Sequence, residues 1–575
     1  MAEQFYTVAS DSETSADDRQ QPSLPDIAIG IDIGTSQCSI AVWNGKRVEL
    51  LRNTRNQKLM RSYVTFKNEV PSGGASQNLS HDEQEILSGS AVFNLKRLIG
   101  RVDTDPVVHA SKTLPFLIQT LDIGDRPFIA ALVNNVWRST TPEEVLAIFL
   151  VELKKVLAEV QLKRPIRNVV LTVPVSFNRF QLTRIERACA MAGLHVMRLM
   201  PEPTAVALLY AQQQQQSLHE NMGSGTEKVA LIFNMGAGYC DVAVTATAGG
   251  VSQIKALSGS TLGGEDILDN VLRHLVPNFY NLYSSPSVDK IKSMGLLRIA
   301  TQDAIHRLSS EISVSINVDA GDGTKISRDL DRSEFEEVNR SVFEKCERLV
   351  SQCMLDAKVI AEDITDVILV GGCSNIPKIK NLLRVLCKRK EVYQGIDPLE
   401  AIVYGAALEG AIACGVNDPS GSLDLLTIQA TPLSLGIRAD GNAFAIIIHR
   451  NIAIPARKEM LFTTAHDNQT EALIMVYEGE GKKVEENRIL GFFKIAGIPP
   501  APKGSAEISV CMDIDASNSL RVFAGVFSAG TQQPLSPFIE VRMPTLDGGH
   551  EWCEALIKKH GSELDLATMP RKLQP

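Results

Sequence analysis

The chain has 575 residues, 44% of them hydrophobic and 22% charged, the balance of a globular protein. It is too long for one core, so roughly two to four domains are expected. A net charge of −9 argues against a nucleic-acid surface, and no apolar run is long enough for a membrane span.

Residues 1–25 are polar and acidic (Asp11, Glu13, Asp17, Asp18) and read as a disordered tail. Residues 27–43 are two apolar runs around Asp32-Ile33-Gly34-Thr35-Ser36, the pattern of a hairpin with a glycine turn. Residues 90–100 read as a short amphipathic helix with Lys96 and Arg97 toward solvent. Residues 142–161 have helical spacing, with Pro142, Glu143 and Glu144 in the first turn where the helix dipole favours acids. Residues 168–173 read as a buried strand, and 179–193 as a helix stopped by Gly193. Pro201-Glu202-Pro203-Thr204 reads as a rigid turn before an apolar helix at 205–211. The glutamine run at 212–216 reads as a low-complexity loop. A second hairpin spans 229–244 around Asn234-Met235-Gly236-Ala237-Gly238. Gly263 and Gly264 then make another glycine turn before a helix. Residues 286–360 are mostly helical, with a strand pair near 312–326. Residues 366–372 form a buried strand ending in Gly371 and Gly372, followed by helices at 376–388 and 401–414. After a turn-rich stretch at 417–422 and an apolar piece at 423–428, short β-rich segments to residue 526 indicate a sandwich. One short helix is expected at 550–560. Ten cysteines without a CxxC pair suit a reduced, cytoplasmic protein; Cys346 and Cys353 are spaced for one helix face rather than a metal.

The two hairpins carry the chemistry. Glycine lets a turn present its backbone N–H groups closely to a ligand, and such amides can hold a phosphate. One glycine turn is as well explained by an ordinary hairpin. Two, with Asp32-x-Gly34 and Asn234-x-Gly236 in matching places, suggest a duplicated α/β fold with a phosphate held between its lobes.

GIDIGTS, VFNLKRLIGR, PEPTAVAL, LGGEDILDN, ILVGG with IPKIK, TPLSLGI, DNQ with VYEGEG, GIPPAPKG and DIDA stand in this order between residues 27 and 526. Together they resemble the 70-kDa heat-shock chaperone family, and the short chain resembles its lid-truncated members in plants. The resemblance implies an actin-like two-lobed ATPase domain (26–416), a linker (417–430), a peptide-binding β-sandwich (431–526) and a C-terminal segment (527–575) too short for the usual helical lid. It implies ATP or ADP with Mg2+ as cofactors and unfolded or nascent polypeptides as clients. J-domain co-chaperones and nucleotide exchange factors would be partners, in the cytoplasm or nucleus, with no nucleic acid and no membrane. By position, Gly34, Thr35, Ser36, Gly236 and Gly238 should line the phosphates, with Gly263, Gly264, Glu265, Ser309, Gly371 and Gly372 completing the nucleotide site. Lys96 should reach the γ-phosphate and attacking water. Asp32 and Asp241 should sit near magnesium through water, with Glu202 and Thr204 holding that shell. Ile437, Phe462, Ala465, Ala472 and Ile474 should form the peptide groove.

The departures from the family pattern concentrate at the chemistry. Asn234 replaces an aspartate, and an amide cannot accept a proton from water. Ala237 replaces a glycine, bulky Tyr239 a threonine, and Gln37 an aromatic. On the adenosine side Gln302, Ile305 and His306 replace an acid, a lysine and an arginine, and Asn375 replaces the second arginine that sandwiches adenine. Leu399 replaces an aspartate near the ribose. His306 is read equally as a partial stacking partner or as a surface histidine. In the output half, Gln429 replaces an acid of the linker, Asp440 stands at the arch, and Ala472 and Ser519 replace larger aliphatics, which suggests a shallower, more polar pocket. The resemblance and its gaps support an ATP-dependent chaperone with slow hydrolysis and weak, fast-exchanging client binding. The alternative is a pseudo-ATPase that keeps the fold and binds partners without nucleotide control. A sugar kinase of the actin-like class is disfavoured by the sandwich. The chain shows no acidic C-terminal tetrapeptide for tail-reading co-chaperones.

Overall fold

The computed structural model describes residues 27–545 and 564–568, except 54, 67–71, 74–89, 121–125, 134–135, 222–225, 278, 280–287, 322, 389–390 and 528–537. The expected tail at 1–25 and helix at 550–560 lie outside the described residues.

Two sheets of one plan form the first part of the molecule. One has the strand order His195–Pro201, Asn168–Val173, Ala28–Ile33, Gln37–Trp43, Val48–Leu50. The other runs Asp366–Val370, Lys228–Met235, Cys240–Ala248, Val251–Ser260, Leu426–Ile428. In each, the first strand of a glycine hairpin also pairs in parallel with a later strand: Ala28–Ile31 with Asn168–Leu171, and Ala230–Asn234 with Asp366–Val370. A parallel pair needs a crossover and burial on both faces, which is why these segments read as unbroken apolar runs. Helices Glu202–Asn221 and Ala401–Ala413 pack along the seam between the lobes. A side chain at Gly405 would strike the Ala205 backbone, and one at Gly30 the backbone of Ala406 and Ala407, so glycine permits the close approach.

Two local expectations are corrected. Residues 90–100 are a strand, Ala91–Phe93, and a 3-10 turn, Leu95–Arg97; both Lys96 and Arg97 are buried rather than facing solvent. The glutamine run is not a loop, because the helix begun at Glu202 continues through it to Asn221. Glutamine is a good helix former, and these amides have work to do. Gln212 and Gln215 donate to the carbonyls of Ser422 and Asp424 at 3.3 Å each. They hold the chain just before Leu426–Ile428, which adds a parallel edge strand to Val251–Ser260.

The second part is a sandwich of two sheets. One has the order Ala443–Ile448, Leu435–Ala439, Glu471–Glu478, Arg488–Ala496. The other runs Ile539–Met543, Leu520–Phe527, Glu507–Ile514, Ala456–Thr464, Leu566–Thr568. The sandwich therefore extends past residue 526, since two strands from the C-terminal segment join it. It rests on both lobes. Phe180, from helix Arg179–Met191 of the first lobe, enters the sandwich core. Arg450 pairs with Asp356 of the second lobe at 2.6 Å.

Candidate functional site: a cleft between two glycine hairpins, and an apolar groove

Asp32 lies one residue before the end of the first hairpin's opening strand, opposite Ser39, and Asn234 lies in the corresponding strand opposite Asp241. The turns between them touch. Gly238 lies so close to the side chain of Thr35 that an added Cβ would overlap it, while Gly236 and Gly372 face open space. Gly371 has φ +82°, which glycine adopts without strain, and it packs over Met235 and Asn234.

A buried polar chain runs beneath these turns. Lys96 Nζ lies 2.6 Å from Glu202 Oε1. Asn234 Nδ2 donates to Glu202 Oε2 at 2.6 Å. Thr172 donates to Asp32 at 2.8 Å. Burial alone would push the Lys96 ammonium down, but Glu202 and Asp32 outweigh it and hold the group above the usual lysine range. Burial pushes Asp32 up to about 6, against the pull of Lys96 and with a further push from Glu202. Asp241 is fully buried, and burial together with Glu202 raises it well above the carboxylate range; the Val175 backbone and Lys96 offset this only in part. Neither Asp241 oxygen, nor the buried hydroxyl of Thr204, has a hydrogen-bond partner of good geometry.

The sign of the Asp32 shift is testable. Its folded value lies above the ordinary 3.8. The charged carboxyl therefore weakens the nucleotide-free fold above about pH 6, and the loss fades as pH falls toward about 4. Thermal unfolding of wild type beside Asp32→Asn should show a Tm advantage of the amide that widens from about pH 5 to about pH 7. A gap that narrows over that range would contradict the assignment.

Other expected residues are placed differently from their sequence reading. Tyr239 does not block the cleft. Its ring packs edge-on against Phe177 at 5.6 Å in the first lobe's core, and its hydroxyl donates to the Lys96 carbonyl at 2.8 Å. It pins the second hairpin to the Lys96 turn. The amides beside Gly263 are already engaged: Gly264 and Glu265 donate to the carbonyls of Gly236 and Ala237 at 3.1 and 2.8 Å, and Gly263 to Asp266 at 2.8 Å. This turn braces the second hairpin from within instead of offering free donors. Glu265 pairs with Arg298 at 2.6 Å, and Asp266 takes Arg97 in a two-pronged contact at 2.9 and 3.0 Å. Sequence reasoning missed the Arg97–Asp266 tie. The signal available was the apolar company of Lys96 and Arg97, with Leu95, Leu98 and Ile99 leaving no polar face.

Of the residues expected on the adenosine side, His306 and Asn375 are exposed and Gln302, Ile305 and Ser309 are half-buried. Asn375 accepts from Lys380 at 3.1 Å, and Leu399 is exposed. In the sandwich, Ile437, Phe462, Ala465, Ala472 and Ile474 are all buried, and all but Ala465 belong to one apolar cluster with Leu566. Leu566, which shares that cluster with Ala472, is fully buried. Ser519 lies in the turn that Asp515 caps, its amide donating to Asp515 at 2.9 Å, outside that cluster.

A family model described as Hsp70 protein matches residues 28–536. The chain is 68% identical over 576 residues to Heat shock 70 kDa protein 8 of Arabidopsis thaliana, covering all of both chains. It is 36% identical over 502 residues to Heat shock cognate 70 kDa protein 3 of Dictyostelium discoideum, covering 86% of this chain and 78% of that one. It is 34% identical over 510 residues to a ribosome-associated molecular chaperone of Saccharomyces cerevisiae, covering 88% of this chain and 80% of that one. With likeness of that extent, on an actin-like two-lobed domain followed by a β-sandwich, the chain belongs to the Hsp70 chaperone family.

Proposed function

We propose that the chain is an ATP-dependent chaperone that hydrolyses ATP slowly and binds apolar segments of unfolded or nascent polypeptides weakly and with fast exchange. The observation that carries the nucleotide half is the buried Asp241, whose carboxyl oxygens have no hydrogen-bond partner of good geometry and which feels both Glu202 and Lys96. Three acids, Asp32, Glu202 and Asp241, with Lys96 as their near countercharge suit a cation. Among the described residues no group of three His, Cys, Asp or Glu is placed to ligate a metal directly; in this reading Asp32 and Asp241 would meet magnesium through water. Bound there, magnesium would supply charge neutralisation for the phosphates. The chain's own residues do the rest. The turns at Gly34–Ser36 and Gly236–Gly238 seat the phosphates, and Lys96, held by Glu202, presents a fixed positive charge. Asn234 orients by donating a hydrogen bond but takes no proton. J-domain co-chaperones and exchange factors in the cytoplasm fit this reading as partners.

The second reading, a pseudo-ATPase, draws on the adenosine side. Two stacking cations of the family pattern are replaced by His306 and Asn375, each such contact being worth about 1 to 2 kcal/mol. Calorimetric titration of the purified chain with Mg-ATP and Mg-ADP separates the two. Binding at micromolar Kd or tighter is expected. No detectable heat or competition at millimolar nucleotide would favour the pseudo-ATPase.

A further inference from the structure

The peptide groove holds a segment of its own chain. Residues 564–568 lie along strand Ala456–Thr464 as an added edge strand, with Leu566 opposite Thr464, Ala567 opposite Thr463 and Thr568 opposite Phe462. The backbone is caught from the other side as well. Leu473 N–H donates to the Leu564 carbonyl at 3.0 Å, and Gln469 Nε2 to the Asp565 carbonyl at 3.0 Å. An extended peptide completing a sheet edge, with one side chain in a pocket, is how such a surface takes a ligand. Leu566 is that side chain, fully buried against the residues read as the groove.

The residue before it is equally specific. Arg438 is 6% exposed, and Asp565 is the one acid it pairs with among the described residues, Nη2 to Oδ2 at 3.1 Å. Arg438 is held in place independently, Nε donating to Asn442 at 2.9 Å and Nη1 against the Met475 sulfur at 3.7 Å. A fixed, nearly dry guanidinium beside a leucine pocket rewards a carboxylate and penalises a cation.

We propose that the groove selects an extended peptide in which an acidic residue precedes a leucine, read by Arg438 and by the apolar pocket that buries Leu566, and that Asp565-Leu566 is its resident, exchangeable ligand. Clients then compete with a tethered segment at high effective concentration. This rests on the client-groove reading above and narrows it to acidic–apolar segments.

The test uses the full chain and a labelled synthetic peptide copying residues 562–570, a version with lysine in place of its aspartate, and an all-apolar leucine peptide. Wild type should bind the first weakly. Leu566→Asp, which ejects the segment, should bind it about tenfold tighter or more, at every protein concentration. It should prefer the aspartate version to the lysine version about tenfold, and adding Arg438→Glu should reverse that preference. As a check that needs no variant, saturating wild type with unlabelled peptide should speed amide exchange at residues 564–568. Equal affinity for the aspartate and lysine versions would overturn the assigned selectivity. Unchanged exchange at 564–568 in wild type under saturating peptide would overturn the resident ligand. A gain that depends on protein concentration would assign the segment to a second copy and overturn the tethered arrangement. If the apolar peptide still binds in these cases, client binding stands and only the present proposal falls. If no peptide binds a folded Leu566→Asp chain, both fall.

Discussion

Replacing Asn234 by aspartate should raise ATP turnover by about 100-fold or more, the range for restoring a positioned proton acceptor being about 100- to 10,000-fold, or roughly 3 to 5 kcal/mol of barrier. The substitution is isosteric, so the contact with Gly371 need not change. Tyr239 is docked in the first lobe and leaves the site alone. The electrostatic change is the substance of the prediction. Asn234 now donates to Glu202, which also carries Lys96. An aspartate there would face Glu202 directly. Without nucleotide, two carboxyl groups at hydrogen-bond distance would share one proton, keeping the bond and raising one apparent pKa. With Mg-ATP bound, a Mg2+ ion close to these acids would outweigh the more distant phosphates, favour the ionised pair and free a carboxylate to orient water. Single-turnover cleavage should accelerate while the Kd for ATP changes little. A variant that folds and binds ATP but shows no acceleration would mean that residue 234 does not limit turnover.

Both hairpins and the strands at 168–173 and 366–370 were legible because apolar runs and glycine turns are local signals, while the strands at 195–201 and 251–260 that complete their sheets were not read. Residues 168–173 read as a strand because a parallel strand buried on both faces has no polar alternation to confuse it. What stayed hidden was set by distant partners. Lys96 and Arg97 look like a solvated basic pair until Glu202 and Asp266, 106 and 169 residues away, are brought beside them. The glutamine run looks like filler until the backbone near residue 423 arrives to receive its amides. Tyr239 looks obstructive because the sequence gives its size and not its direction. The leucine that joins Ala472 in the sandwich core comes from residue 566 of the same chain, far from the strands it completes. For the basic pair and the glutamine run, the sequence reading put solvent where the fold puts a partner.

Arg179→Ala should detach the sandwich from the ATPase lobes, costing about 3 to 5 kcal/mol of docking. Arg179 opens helix Arg179–Met191 and is buried at the seam. Its guanidinium bonds both the carbonyl and the side chain of Asn518 and lies 3.4 Å from Glu478, while its own N–H donates to Glu478 at 2.8 Å. Burial lowers the Arg179 pKa despite Glu478, and burial raises Glu478 despite Arg179. For both ions, desolvation thus outweighs their mutual attraction. Such a pair adds little net stability while intact, but removing the Arg179 side chain leaves Glu478 in a dry seam with only the backbone N–H at 179 and the attraction of Arg488 to offset its burial. The two substitutions therefore differ in outcome. Arg179→Ala should open the interface, seen as faster protease cleavage at residues 417–425 and a larger radius in solution scattering. Arg179→Met combined with Glu478→Leu should stay docked, because Phe180 and the surrounding apolar contacts remain and Arg488, the other cation facing Glu478, keeps the attraction of Asp105. Detachment by the double variant as well would show that the seam is held by the ion pair itself, and that the desolvation reading of these two pKa shifts is wrong.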